Sequence, residues 1–183
     1  MSLIASTAIS LQGCAAALAG AAISSALIMA DRRTLGTQTE DREIQIKAMS
    51  HIHRKLSNQA HVNIAVFNHR VLMTGEVPNK TLKYHASEIV RSIYNVNGII
   101  NELSTEPISS LSSRVNDIYL ESRVKAALIN NKRISANYYK IVGERKNIYL
   151  LGLVTSEEAN CAADITSHVP GVKRVVKVFQ YLI

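Results

Sequence analysis

Apolar residues recur along this chain in two passes of the same order. Ile44, Ala48 and Ile52 fall at i, i+4 and i+8, the spacing that lines one face of a helix, and Leu120, Val124 and Leu128 repeat the trio 76 residues later. A compact apolar run follows each helix. Val71 to Val77 reads V-L-M-T-G-E-V and aligns with Ile148 to Val154, I-Y-L-L-G-L-V, at an offset of 77. A second helical trio comes next, Ala86, Ile89 and Ile93, matched by Ala162, Ile165 and Val169 at an offset of 76. Each pass closes on an apolar strand, over 99–103 and 172–182. The single-residue change in offset falls in the loop before the strands, where insertions are tolerated. The pattern predicts an α+β chain of two tandem αββαβ units. The first occupies 41–104 and the second 115–183, joined by a Ser-rich linker over 105–114 that contains Pro107.

The repeat also marks backbone positions. Gly75 and Gly152 align after the second strand and are expected where sheet packing leaves no room for a Cβ. Gly171 ends the second helix of the later unit and Asn95 stands in its place in the earlier one. Both are expected at positive φ, because Asn is the next-best residue to Gly at a left-handed helix cap.

The first thirty residues carry no charge, and the first charged side chains are Asp31, Arg32 and Arg33. That length could span a bilayer, but its Ala, Ser, Gly and Thr content makes it weakly apolar for a span. Within it, Leu11-Gln12-Gly13-Cys14 resembles the lipobox of bacterial lipoproteins. The resemblance implies a signal peptide over 1–13, a lipid-modified Cys14 and a polar tether through residue 40. With Ala15 after the cysteine, it also implies export to the outer membrane, facing the periplasm. Three acyl chains exceed the two signals that stable anchoring needs. An uncleaved signal anchor with an incidental cysteine is the other reading of the segment.

A formal charge of +7 calls for a polyanionic partner, either nucleic acid or an anionic membrane. The chain offers no catalytic constellation: it has no phosphate-cradling Gly loop, nucleophile elbow or Ser/His/Asp arrangement. Its acidic residues are scattered along the sequence. His51, His53, His61, His69 and His85 lack chelating spacing and read as solvated surface, so no metal is expected. Cys161, beside Ala162 and Ala163, reads as a small core residue. No cofactor is expected apart from the covalent lipid.

The informative charges lie on the helix expected from about residue 116 to 130. Opposite its buried trio it carries Ile118, Tyr119, Arg123, Lys125, Ala126 and Ile129, followed by Lys132 and Arg133. An aromatic ring, basic side chains and spare aliphatics suit contact at the level of lipid headgroups. The equivalent helix of the first unit has Gln45, Lys47 and Ser50 there. A docking surface between the two units, or an ordinary solvated face, fits the same residues.

The order of elements, the paired glycines, the Ala-x-x-Ile of each second helix and the Val169-Pro170-Gly171-Val172 turn together resemble the BON domain of bacterial envelope proteins. The resemblance implies a non-enzymatic lipoprotein that binds anionic phospholipid through its second copy and supports outer-membrane integrity. An envelope scaffold with protein partners is the rival reading. A nucleic-acid-binding module is disfavoured, because the GxxG clamp and the paired sheet aromatics of RNA-binding folds are missing.

Overall fold

The computed structural model describes residues 31–56 and 60–182. The leader and Cys14 lie outside them. Two copies of an αββαβ unit follow one another. The first comprises α1 (Leu35–Leu56), β1 (His61–Phe67), β2 (Arg70–Glu76), α2 (Lys80–Arg91) and β3 (Gly98–Asn101). The second comprises α3 (Leu111–Ile129), a 3-10 turn (Ala136–Tyr138), β4 (Tyr139–Glu144), β5 (Asn147–Val154), α4 (Ser156–Ser167) and β6 (Arg174–Tyr181). In each sheet the central strand pairs antiparallel with the strand before it and parallel with the strand after it, giving the orders β1-β2-β3 and β4-β5-β6.

Alternation along the strands sends side chains to two different cores. Ile64, Val66, Val71 and Met73 meet Ile44, Ala48, Ile52 and Ala86 from the helices of the first copy. Ile148 and Leu150 likewise meet Leu120, Val124, Leu128 and Ala162 in the second. The residues between them, Ala65, Phe67, Leu72, Val142, Tyr149, Leu151 and Val178, form a third core in which the two sheets pack against each other. The layers therefore run helices, sheet, sheet, helices. Polar contacts rim this intercopy core. The Asn68 amide donates to Gln180 Oε1 at 2.5 Å, Arg70 to the Phe179 carbonyl at 3.3 Å and Lys140 to the Val66 carbonyl at 3.1 Å.

Two helix starts differ from the expected positions. The segment assigned to a tether is helical from Leu35, because the Thr34 hydroxyl accepts the Thr37 N–H at 3.1 Å as an N-cap and Arg33 pairs with Asp41 at 2.6 Å. Caps and an ion pair hold this turn, while Leu35 and Gly36 stay exposed, so no apolar stripe announces it. Similarly α3 starts at Leu111, inside the expected linker, capped by Ser110 through the Ser113 N–H at 3.2 Å.

Asn95 and Gly171 have φ of 65° and 100° after α2 and α4. A Cβ on Gly152 would stand 2.7 Å from the Tyr138 carbonyl oxygen. Gly75 combines φ of 109° with a would-be Cβ only 2.0 Å from the His61 carbonyl oxygen.

The hairpin turns are built alike. Asn68-His69 and Arg145-Lys146 all have φ between 50° and 63°, the left-handed pair that a tight turn matching the strand twist requires. No glycine relieves either turn. A buried aspartate on the preceding helix holds each one: Asp41 accepts the Asn68 and His69 N–H groups at 2.6 and 2.7 Å, and Asp117 accepts those of Arg145 and Lys146 at 2.9 and 2.8 Å. Asp41 and Asp117 stand 76 residues apart, in register with the repeat.

Candidate functional site

Because α3 begins five residues before the expected start, its outer face is longer than the sequence suggested. Leu111, Val115, Ile118, Tyr119 and Ile129 share one stripe and are 57–74% exposed. Ser122 and Ala126 continue it, also exposed. Leu111 and Val115 were missed because they fall in and beside the Ser-rich run, outside the buried periodicity. The buried face consists of Asp117, Leu120, Val124 and Leu128.

The basic residues expected around this stripe are held in different ways. The Arg123 guanidinium lies 5.7 Å from the Tyr119 ring centre and donates to the Pro170 carbonyl at 3.0 Å. Lys125 donates to the Ala136 carbonyl at 2.5 Å, and burial lowers its pKa. Lys132 and Arg133 are exposed beyond the helix end, with Arg133 only 3.7 Å from the exposed Glu157. A groove of about 470 Å³ runs between α3 and the edge of β4, lined by Ser122, Lys125, Ala126, Ile129, Tyr139 and Ile141 together with Glu121. Burial raises the pKa of Glu121, whose carboxylate accepts the Gly143 N–H at 2.6 Å. Among the described residues, no helix is long and apolar enough to cross a membrane.

Two expectations about side chains are corrected. The acidic residues do not all stay scattered. Glu76 and Glu144, 68 residues apart in sequence, meet at one end of the intercopy core, and both are buried (0% and 5% exposed). His61 and His69 are not plain solvated surface either. His61 Nδ1 lies 3.1 Å from Glu76 Oε2, and His69 Nε2 lies 2.6 Å from Glu40. These residues share an environment through strand pairing and sheet packing, which spacing along the chain cannot show. Burial alone would raise the Glu76 pKa, but Arg145, whose Nε stands 2.6 Å from Oε1, together with Ser109 and His61, holds it below the usual carboxylate range. At Glu144 the Thr74 hydroxyl and the Arg145 charge do not suffice. Burial, then the charges of Glu76 and Asp117, push its pKa up to about 7. Cys161 is half-buried and packs against the second core.

The BON domain model matches residues 40–107 and again 116–182, so its two matches follow the two αββαβ copies. The chain belongs to the BON domain family. It is 37% identical over 174 residues, 94% of this chain and 90% of the relative, to the protein of Haemophilus influenzae named outer membrane lipoprotein DolP. With that likeness over nearly its whole length, the chain is a two-BON-domain lipoprotein of the DolP type, anchored by lipid at the outer membrane. A protein of Actinobacillus pleuropneumoniae named 21 kDa hemolysin is 25% identical over 154 residues, covering 83% of this chain and 79% of its own. A solved structure of CdsD, a structural protein of the type III secretion system of Chlamydia trachomatis, covers 76% of this chain and 92% of its own at 10% identity with a TM-score of 0.31.

Proposed function

We propose that this lipoprotein is not an enzyme, that its lipid is carried on Cys14, and that its second copy binds anionic phospholipid through the outer face of α3 in support of envelope integrity. The observation that carries the reading is the apolar stripe of α3. It spans Leu111 to Ile129, holds an exposed Tyr119, and has Arg123, Lys125, Lys132 and Arg133 beside it. Aliphatics and a ring enter the interface while cations remain at headgroup depth, where each adds about 1 kcal/mol near an anionic surface. Lys125 and Arg123 stand beside the stripe, each donating to a backbone carbonyl. The groove beside the stripe gives a headgroup a place to sit against Lys125.

The folded body, residues 31–183, should float with vesicles containing anionic lipid and not with zwitterionic ones. Binding should fall steeply with salt as the screening length shortens to about 10 Å at 0.1 M. Tyr119→Glu should lose binding with its melting temperature unchanged, since Leu120, Val124 and Leu128 are untouched. Wild-type flotation by the Tyr119→Glu protein would remove α3 as the contact. The anchor has its own test. Protein extracted from membranes should have the intact mass of a chain beginning at an acylated Cys14, and recovery of an unmodified Met1 terminus would refute it.

A second reading, an envelope scaffold, is favoured by the first copy. A groove of about 550 Å³ lies between its helices, lined by Leu56, Leu82, Tyr84, His85 and Ile89 among others, and Tyr84 is exposed at its edge. If α3 fails the flotation test, this surface is the next to examine.

A further inference from the structure

Three buried carboxylates, Glu76, Asp117 and Glu144, gather at the polar end of the intercopy core. Glu76 is matched by Arg145, which also reaches Glu106 and the Pro107 carbonyl. Asp117 is satisfied by two backbone N–H groups. Glu144 faces both of these carboxylates, and Arg145, whose charge acts on it, is already bonded to Glu76 and Glu106. The Thr74 hydroxyl, 1% exposed and on the same face of β2 as Glu76, lies close enough to Glu144 to lower its pKa, yet it makes no hydrogen bond of standard geometry. A buried hydroxyl without a standard hydrogen bond and a buried carboxylate held above its usual pKa therefore sit together at this end.

We propose that His61, Glu76 and Glu144 bind a divalent transition cation of the zinc class, with ligands drawn from both BON copies. One ligand atom from each of the three lies within 4.8 Å of the others. Bonds of about 2.0–2.2 Å at tetrahedral angles place neighbouring ligand atoms roughly 3.3 Å apart. His61 Nδ1 and Glu76 Oε2 already stand 3.1 Å apart, close to that ligand-to-ligand distance. Arg145 uses the other oxygen, Oε1, and does not have to leave. Glu144 offers an oxygen within 4.8 Å of both. The donor set decides the class of ion. One imidazole and two carboxylates suit zinc and its neighbours, whereas calcium needs six to eight oxygens and magnesium keeps most of its water. A cleft of about 220 Å³ lined by His61, Asn63, Arg114, Ile118 and Glu144 opens onto the cluster, so the ion has an entry path and the fourth position is left to water. Since β1 and β2 supply two ligands and β4 the third, occupancy locks the two sheets together. The inference does not depend on the phospholipid reading.

The test uses the full chain in detergent, freed of metal by chelation and then titrated with zinc chloride. Ligand present at about a hundredfold excess over its Kd should raise the melting temperature by roughly 5–10 °C in a protein of this size. Calcium and magnesium should leave it unchanged. Both Glu144→Gln and His61→Gln should abolish the shift. Without metal, Glu144→Gln should melt no lower than wild type at pH 8, because the substitution removes a buried charge, so its lost response cannot be put down to unfolding. If Glu144→Gln does unfold, His61→Gln decides alone, read by the visible absorption of cobalt(II) bound to wild type and lost in the variant. Absence of a zinc shift in the wild type, or a shift that survives in either folded variant, overturns the site.

Discussion

Alanine at Gly75 is expected to cost on the order of 3–5 kcal/mol, enough to lower the melting temperature by roughly 8–15 °C. Two independent penalties add. The backbone at φ of 109° is a conformation that an L side chain enters only at a cost of about 1–3 kcal/mol. The new methyl group would also stand 2.0 Å from the His61 carbonyl oxygen, a backbone atom in the paired strand that cannot swing aside. Relief requires β1 and β2 to separate where Val62 faces Gly75. Gly152 is the aligned position in the second copy and provides the control. Its φ is not positive and its would-be Cβ lies 2.7 Å from the Tyr138 carbonyl oxygen, so Gly152→Ala should cost about 1–3 kcal/mol, from overpacking alone. Thermal or denaturant unfolding of the two variants should rank them in that order. Equal losses would mean that strain at Gly75 contributes nothing.

The contrast between these glycines shows what the repeat could and could not reveal. Aligning the copies paired the two glycines, because helices and strands repeat wherever the apolar periods do, but it placed them after the second strand, whereas they lie inside β2 and β5. It could not show that one sits at positive φ and the other does not, since that depends on local twist. The helices, strands and the two helix-facing cores were legible from 3.6- and 2-residue periods. The sheet-against-sheet core had a signal too: Ile64 to Phe67 and Ile148 to Leu151 are unbroken apolar runs, as strands buried on both faces require. For the candidate surface, Tyr119, Ile118 and Ile129 stood out as apolar residues on the wrong side of a periodic helix. Leu111 and Val115 did not, because the capped first turn of α3 buries nothing that would mark it as helix. The His61, Glu76 and Glu144 cluster had no linear signature at all. It exists because two sheets meet, and only the packed chain brings its members together.

Asp117→Ala is expected to produce the other large loss, about 3 kcal/mol, although no apolar contact is removed. The carboxylate accepts two backbone N–H groups, at 2.9 Å from Arg145 and 2.8 Å from Lys146, and hydrogen bonds to a charged acceptor contribute roughly 1.5–3 kcal/mol each. Those N–H groups belong to residues at φ of 50° and 63°, positions that non-glycine residues occupy only when something holds them there. Asp117→Asn keeps one acceptor oxygen and should lose about half as much. If the aspartate works by holding a strained turn, Lys146→Gly should recover about 1 kcal/mol in the Asp117→Ala background, since glycine enters the left-handed region without strain. Hydrogen exchange should then report faster opening over residues 143–147. Because Arg145 carries the ion pair to Glu76 across the copies, loosening its turn should also speed exchange at the facing end of β2. Asp41 holds the Asn68-His69 turn in the same way, but asparagine tolerates the left-handed region, so Asp41→Ala should loosen its turn less than Asp117→Ala loosens its own. Unchanged exchange over 143–147 in Asp117→Ala would mean that the turn is held by strand pairing alone and that the buried aspartate is dispensable to it.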